Sequence, residues 1–241
     1  MTSSKSESVL AKKLKTFIPL APEELNWLAE IQSAPVTVKR GKQLTQEGQT
    51  GHRAYFLHEG WTCSYKDLPS GQRQIISFPI SGDCVGLRSV LLRTADHSFS
   101  ALTDAVVSPV EGADLMKCIT DYPRLGATFL WAASRDAAMV VEHLVSVGRR
   151  SAIARAAHFF MELAERLNLV GLAKGMEFQC PLSQFVLADA LGLTPIHINR
   201  VLRQLREKEL LTVKKGAVVI HDLNGLRKLT GFHGGYLNSR D

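Results

Sequence analysis

Between Leu182 and Arg206 two short amphipathic patterns lie on either side of one glycine, and no other segment limits the fold as much. Ser183 stands where a hydroxyl can cap a helix whose apolar face is Val186, Leu187, Ala190 and Leu191. Gly192 sits where that helix must stop and turn, and Leu193 plugs the corner. Thr194 followed by Pro195 is a start signal, a capping hydroxyl and then a residue whose φ is preset for a helix. The second helix buries Ile198, Val201, Leu202 and Leu205, leaving His197, Asn199, Arg200, Arg203 and Arg206 outside. The pattern predicts a helix-turn-helix with a basic, hydrogen-bonding outer face suited to DNA.

The charge distribution agrees. The chain has 241 residues and a net charge of +6. Residues 149–229 hold 13 Lys/Arg against 7 Asp/Glu, leaving 16 of each sign elsewhere. The whole positive excess therefore coincides with the helix-turn-helix region, which scattered solvated lysines do not explain. No apolar stretch approaches the ~18–20 residues needed to cross a bilayer, and residues 1–15 lack the apolar block of a secretion signal. A cytoplasmic protein with no membrane association is expected. Cys63, Cys84, Cys118 and Cys180 are far apart and form no Cys-x-x-Cys pair, so neither a metal site nor a structural disulfide is expected. No P-loop, nucleophile elbow, HExxH or paired-carboxylate cluster is present, which argues against an enzyme.

Upstream, Pro22 to Ile31 reads as a short helix with Glu23 and Glu24 in its first turn. From Val36 to Val110 short alternating runs are punctuated by glycine, with a hairpin turn at residues 68–71, the pattern of a small β-sandwich or roll. A long helix should start after Pro123 and run to about Val147. Its residues Leu130, Ala133, Ala137, Val140, Leu144 and Val147 recur at alternating three- and four-residue steps, the spacing of a two-helix seam. A second stripe, Phe129, Ala132, Met139 and His143, is left to face the roll. Residues 148–151 are read as a hinge, Ala152 to Asn168 as a helix, and Val170 to Gly175 as a loop. Leu210–Val213 and Ala217–Ile220 flank Lys214 and Lys215 as a two-stranded wing with a basic tip. The expected domains are a roll with its long helix over 1–148, a winged helix-turn-helix over 149–230 and a flexible tail over 231–241.

A glycine-punctuated roll, a long helix, a hinge and a winged helix-turn-helix, in that order, resemble the Crp/Fnr family of bacterial transcription regulators from about Phe17 to Leu229. The most specific pieces are residues 187–194 with Asn199 and Arg200. In the roll they are Gly41, Leu44 and Gln46-Glu47-Gly48, Tyr55-Phe56-Leu57 with Gly60, and Gly82-Asp83 with Gly86. The resemblance implies an α+β fold, with an N-terminal double-stranded β-helix (a jelly-roll-like β-roll), a long dimerisation helix and a C-terminal winged helix-turn-helix. It also implies a homodimer on a palindromic operator of double-stranded DNA and contact with RNA polymerase.

On that resemblance Arg200 matches the arginine that reads guanine, its fork meeting O6 and N7 together. His197 falls where a base-edge or phosphate contact is usual, and Asn199 lies beside it. Ser183 and Thr194 sit at helix starts suited to phosphate. Arg203, Lys214 and Lys215 are read as phosphate contacts. Ile196 departs from the family pattern, because a glutamate that reads cytosine often stands there.

The cyclic-AMP pocket of the family maps onto Gly86, Leu87, Phe99, Ser100, Val140 and Val141, with Arg88 as the one nearby cation available to substitute for its arginine. The phosphate-binding arginine has become Phe99, the ribose-binding glutamate Leu87, and the two base-contacting hydroxyls Val140 and Val141. A buried phosphate without its arginine would lie uncompensated, at a cost of several kcal/mol. Cyclic AMP is therefore not expected, and no cofactor is predicted. A pocket filled by its own side chains is the reading adopted, with a regulator gated by another small ligand or nucleotide as the alternative. His52, His58, His97 and His143 are read as ordinary side chains rather than haem ligands, and Cys180 as a buried inert thiol. A protein-interaction module that has lost DNA binding is a third reading, opposed by Arg200, Arg203 and the local positive excess.

Overall fold

The computed structural model describes residues 7–238. In chain order the elements are α1 (Val9–Leu14), α2 (Pro22–Ile31), β1 (Val36–Val38), β2 (Gln43–Thr45), β3 (Ala54–Glu59), β4 (Thr62–Asp67), β5 (Arg73–Ser77), β6 (Cys84–Val85), β7 (Ser98–Ala101) and β8 (Ala105–Val110). They continue with α3 (Gly112–Asp121), α4 (Pro123–Arg149), α5 (Ala152–Leu169), β9 (Ala173–Lys174), β10 (Glu177–Gln179), α6 (Gln184–Leu191), α7 (Pro195–Glu207), β11 (Leu211–Lys214), β12 (Ala217–Ile220) and α8 (Leu223–Thr230). A 3-10 turn, Gly234–Leu237, closes the described chain.

The chain forms two compact units. Among the described residues, the first comprises 7–62 and 79–134. Its main sheet has the order β1-β8-β3-β6, all antiparallel, and β2 pairs separately with β7. β3 is buried on both faces, so its alternation divides the core. Ala54 and Phe56 point into a cluster with Leu10, Leu14, Leu28, Leu115, Leu125 and Phe129, where Phe56 stacks on Phe129 at 5.8 Å. Tyr55 and Leu57 point into the other cluster, with Val38, Phe99 and Val107. Each fully buried side chain of this size contributes about 1.5–3 kcal/mol.

The helix at residues 22–31 forms as expected, with the Glu24 carboxylate accepting the Ala21 amide at 2.6 Å. Helices α1 and α3 were not anticipated. The polar composition of residues 1–15 hid the former: Ser8 caps it, Leu10 and Leu14 enter the core, and the Lys13 ammonium is buried in an ion pair with Asp83.

The second unit comprises residues 63–78 and 135–238. It contains the paired part of the β4–β5 hairpin, where Arg73 makes two hydrogen bonds to the Asp67 carboxylate, at 2.7 and 3.0 Å, and lies 3.7 Å over the Tyr65 ring. Helix α5 is buried along most of its circumference, including Phe160, Leu163 and Leu167 and also His158, Glu162 and Arg166. A four-stranded sheet of this unit has the order β11-β12-β10-β9 and includes the wing. The loop expected at residues 170–175 contains the short strand β9, which pairs with β10.

Two expectations are corrected. The long helix does not break at Gly148, which is helical; α4 continues through Arg149, and Ser151 then caps α5 by accepting the Ala154 amide. The tail expected to be flexible is folded over 231–238. Phe232 and Leu237 are buried, and the Tyr236 hydroxyl donates to Glu162 Oε2 at 2.8 Å. The rest of that tail, residues 239–241, lies outside the described residues.

Candidate nucleic-acid interface

Each end of the two helices has an identifiable cause. Ser183 Oγ accepts the Val186 amide at 3.3 Å, and Thr194 Oγ1 accepts the His197 amide at 3.2 Å. Between them Gly192 adopts φ 60° and ψ 42°, a left-handed conformation that a side chain would strain. The Leu193 amide returns to the Ala188 carbonyl at 3.1 Å, and the second helix leaves at 96° to the first. Leu187, Ala188, Leu191, Ile198, Val201 and Leu205 make the buried seam. Val186, Ala190 and Leu202 are half-buried, so Ala188 carries more of the packing than the sequence pattern suggested.

The exposed face of α7 holds Asn199, Arg200, Arg203 and Arg206. His197 is half-buried rather than fully outside. Arg203 pairs with Glu207 one turn on at 3.3 Å, whereas no acidic side chain among the described residues pairs with Arg200. The Asn199 amide donates to Gln184 Oε1 at 3.4 Å, joining the heads of the two helices. No local pattern marks Gln184, because only the folded pair brings positions 15 residues apart together. Ile196, Asn199, Arg200 and Arg203 line one open concavity of about 270 Å³. Lys214 and Lys215 are exposed at the wing tip, where Lys215 (φ 51°) and Gly216 (φ 77°) are both left-handed, as a tight hairpin of this hand requires.

The residues proposed for an effector fall in both units. In the first unit Leu87 is 8% exposed and Phe99 2% exposed, the latter 5.8 Å from the Tyr55 ring. Gly86 occupies a turn, Ser100 is buried on β7, and Arg88 is exposed. In the second unit Val140 is half-buried and Val141 exposed. Of the seam positions, Leu130 and Leu144 are 70% and 72% exposed and Val147 is exposed, while Ala133, Ala137 and Val140 are half-buried. Ala133 also leans on the roll core. The opposite stripe turns inward: Phe129, Ala132 and Met139 are buried and His143 half-buried.

The histidines considered as haem ligands all have protein partners. His52 meets the Ser89 carbonyl at 2.7 Å, His58 the Ser108 hydroxyl at 2.8 Å, and His97 the Asp96 carboxylate at 2.7 Å. His143 Nε2 lies 2.9 Å from Glu162 Oε1. Burial pushes the Cys180 thiol up to about 12, so it stays protonated and unreactive at neutral pH. The polar cluster around α5 is a further feature of the second unit that hydrophobic periodicity does not reveal. Its signal was present as His158, Glu162 and Arg166, spaced four apart on one face of an otherwise apolar helix.

The helix-turn-helix segment matches the Crp-like helix-turn-helix domain over residues 154–229, and the roll matches the cyclic nucleotide-binding domain over 35–122. The nitrogen fixation regulation protein FixK of Bradyrhizobium diazoefficiens is 31% identical over 173 residues, covering 70% of each chain. The anaerobic regulatory protein of Haemophilus influenzae is 27% identical over 212 residues, covering 88% of this chain and 82% of its own. Among solved structures, FixK2 from Bradyrhizobium japonicum superposes with a TM-score of 0.75 at 24% identity, covering 83% of this chain and 98% of that one.

Proposed function

The chain belongs to the Crp/Fnr family of DNA-binding transcription regulators, and from that premise we propose that it acts as a homodimer on a palindromic operator without cyclic AMP. The observation that carries the proposal is the second helix of the helix-turn-helix. Its head is fixed by Thr194 and Pro195, and it presents Arg200 uncompensated beside Asn199 on an exposed face. The first residues of such a helix are those that reach base edges in the major groove. Arg200 reads guanine, and Asn199, steadied by Gln184, and His197 contact the adjoining base edges or backbone. Ser183, Thr194, Arg203, Lys214 and Lys215 hold phosphates. These contacts set register and affinity rather than sequence.

The exposed leucines Leu130 and Leu144 support pairing of two α4 helices, which would place two recognition helices on successive half-sites. The burial of Leu87 and Phe99 supports a roll filled by its own side chains, where cyclic AMP would need an arginine and a glutamate. RNA polymerase is the further partner proposed for a regulator bound in this way.

The test is selection of bound sequences from random duplex DNA by purified protein at fixed salt, with no effector added. A palindromic consensus is expected. A consensus that appears only on adding a nucleotide or cell extract would favour the ligand-gated reading. Binding of equal strength to all sequences would overturn specific recognition.

A further inference from the structure

Ile196 is 78% exposed, more than any other large hydrophobic residue of the described chain. It is the second residue of α7, in the concavity it shares with Asn199, Arg200 and Arg203. A lone exposed isoleucine on an ordinary surface needs no explanation. This one stands at the head of the helix that reads DNA, among side chains that otherwise offer only hydrogen bonds and charge. We propose that Ile196 is a specificity-determining residue that selects thymine, by packing its methyl groups on the thymine C5-methyl in the major groove. The proposal rests on the DNA-binding reading above and assigns the base preference of one further position.

The chemistry leaves one base. In the major groove thymine alone presents an apolar group; adenine and cytosine present amino donors, and guanine presents two acceptors. A side chain without polar atoms cannot replace the water it strips from those donors and acceptors, so each of them is penalised where thymine is rewarded. The geometry is preset. Pro195 and the Thr194 cap fix the first turn, and a β-branched side chain in a helix holds essentially one χ1 rotamer. Ile196 therefore presents its methyls in one direction. Arg200 lies one turn further along the same face, about 6 Å along the axis, while successive bases rise about 3.4 Å. The thymine should therefore fall within about two base pairs of the guanine read by Arg200.

Deoxyuridine, which lacks only that methyl, supplies the test. Starting from the selected operator, each thymine of a half-site is replaced singly by deoxyuridine, and binding is measured for the wild type, Ile196→Val and Ile196→Ala. At one thymine near the Arg200 guanine, loss of the methyl should weaken the wild type and Ile196→Val by about fourfold, the worth of one buried methyl. Ile196→Ala should be nearly insensitive at that position. Ile196→Glu should exchange thymine for cytosine there in a repeated selection. The proposal is overturned if the wild type tolerates deoxyuridine at every position, or if the same loss persists in Ile196→Ala. A consensus with an insensitive Ile196 would remove this assignment and leave the DNA-binding reading standing. Absence of any consensus would remove both.

Discussion

His143 and Glu162 are held together in a way that fixes the proton count of both. The imidazole Nε2 lies 2.9 Å from Glu162 Oε1, and its Nδ1 lies 3.0 Å from the Ile76 carbonyl oxygen. A carbonyl and a carboxylate only accept, so both ring nitrogens donate and the imidazole is the charged form. Glu162, which also accepts from Tyr236, is the matching carboxylate. Burial opposes both charges. For His143 the Glu162 charge, its hydrogen bond and the Ile76 carbonyl outweigh that opposition and Arg166 nearby, so its pKa is raised. For Glu162 the His143 charge and its hydrogen bond, with Arg166 and Tyr236, hold the carboxyl well below the usual range. This ties β5 to α5 within the second unit.

The sign of the pH dependence follows. A histidine with a raised folded pKa contributes stability that is complete below about 6.5 and is lost as pH rises through the folded value. His158 acts oppositely: burial and the Arg150 charge push it down to about 4, so its contribution is present above about 6.5 and lost as pH falls toward 4. Thermal melting from about pH 6.5 to 9, above the range in which His158 titrates, should show the second unit weakening on the alkaline side. His143→Gln should be about 1–3 kcal/mol less stable than the wild type at pH 6, with the difference shrinking by pH 9. A difference constant with pH would show that His143 is not charged.

Arg200→Ala should reduce affinity for the specific operator by about 1–3 kcal/mol and relax preference at one base pair. Equal weakening on specific and random DNA would make Arg200 a phosphate contact only.

Lys215 separates wing stability from DNA binding. Its left-handed φ of 51° costs a lysine about 1–2 kcal/mol, which asparagine largely avoids. Lys215→Asn should raise the melting temperature yet lower the slope of log affinity against log salt by about 1. An unchanged salt slope would remove Lys215 from the interface.

Glu209 follows the end of α7 with φ 55°, and the Leu210 amide returns to the Leu205 carbonyl at 3.0 Å. That is a helix stop at which glycine is the favoured residue, and it also places a carboxylate near the negative end of the helix. Glu209→Gly should stabilise the second unit by about 1 kcal/mol, read from urea denaturation. A destabilised variant would mean that the glutamate side chain has a role not visible in the fold.

Leu144 is 72% exposed on α4, so a charge there should leave each protomer folded. Leu144→Asp should sediment as a monomer and lose affinity for the palindrome, while its circular dichroism stays unchanged. An unchanged dimer would exclude this face as the seam.

The helix-turn-helix was legible because its determinants are local. Ser183, Gly192, Thr194 and Pro195 act on backbone groups within four residues, and the 3.6-residue period of α7 sets its faces by itself. The alternation of β3, the hairpin turn at residues 68–71 and the helix at 22–31 were readable for the same reason. Tertiary structure decided what depends on partners far apart in sequence. Lys13 became a core residue because Asp83 meets it, and the tail became ordered because Tyr236 reaches Glu162 across 74 residues. His143 holds its proton because Ile76 and Glu162 both accept from it. A charge or a polar chain end is stable in the interior only when such a partner exists, and periodicity along one segment carries no information about it.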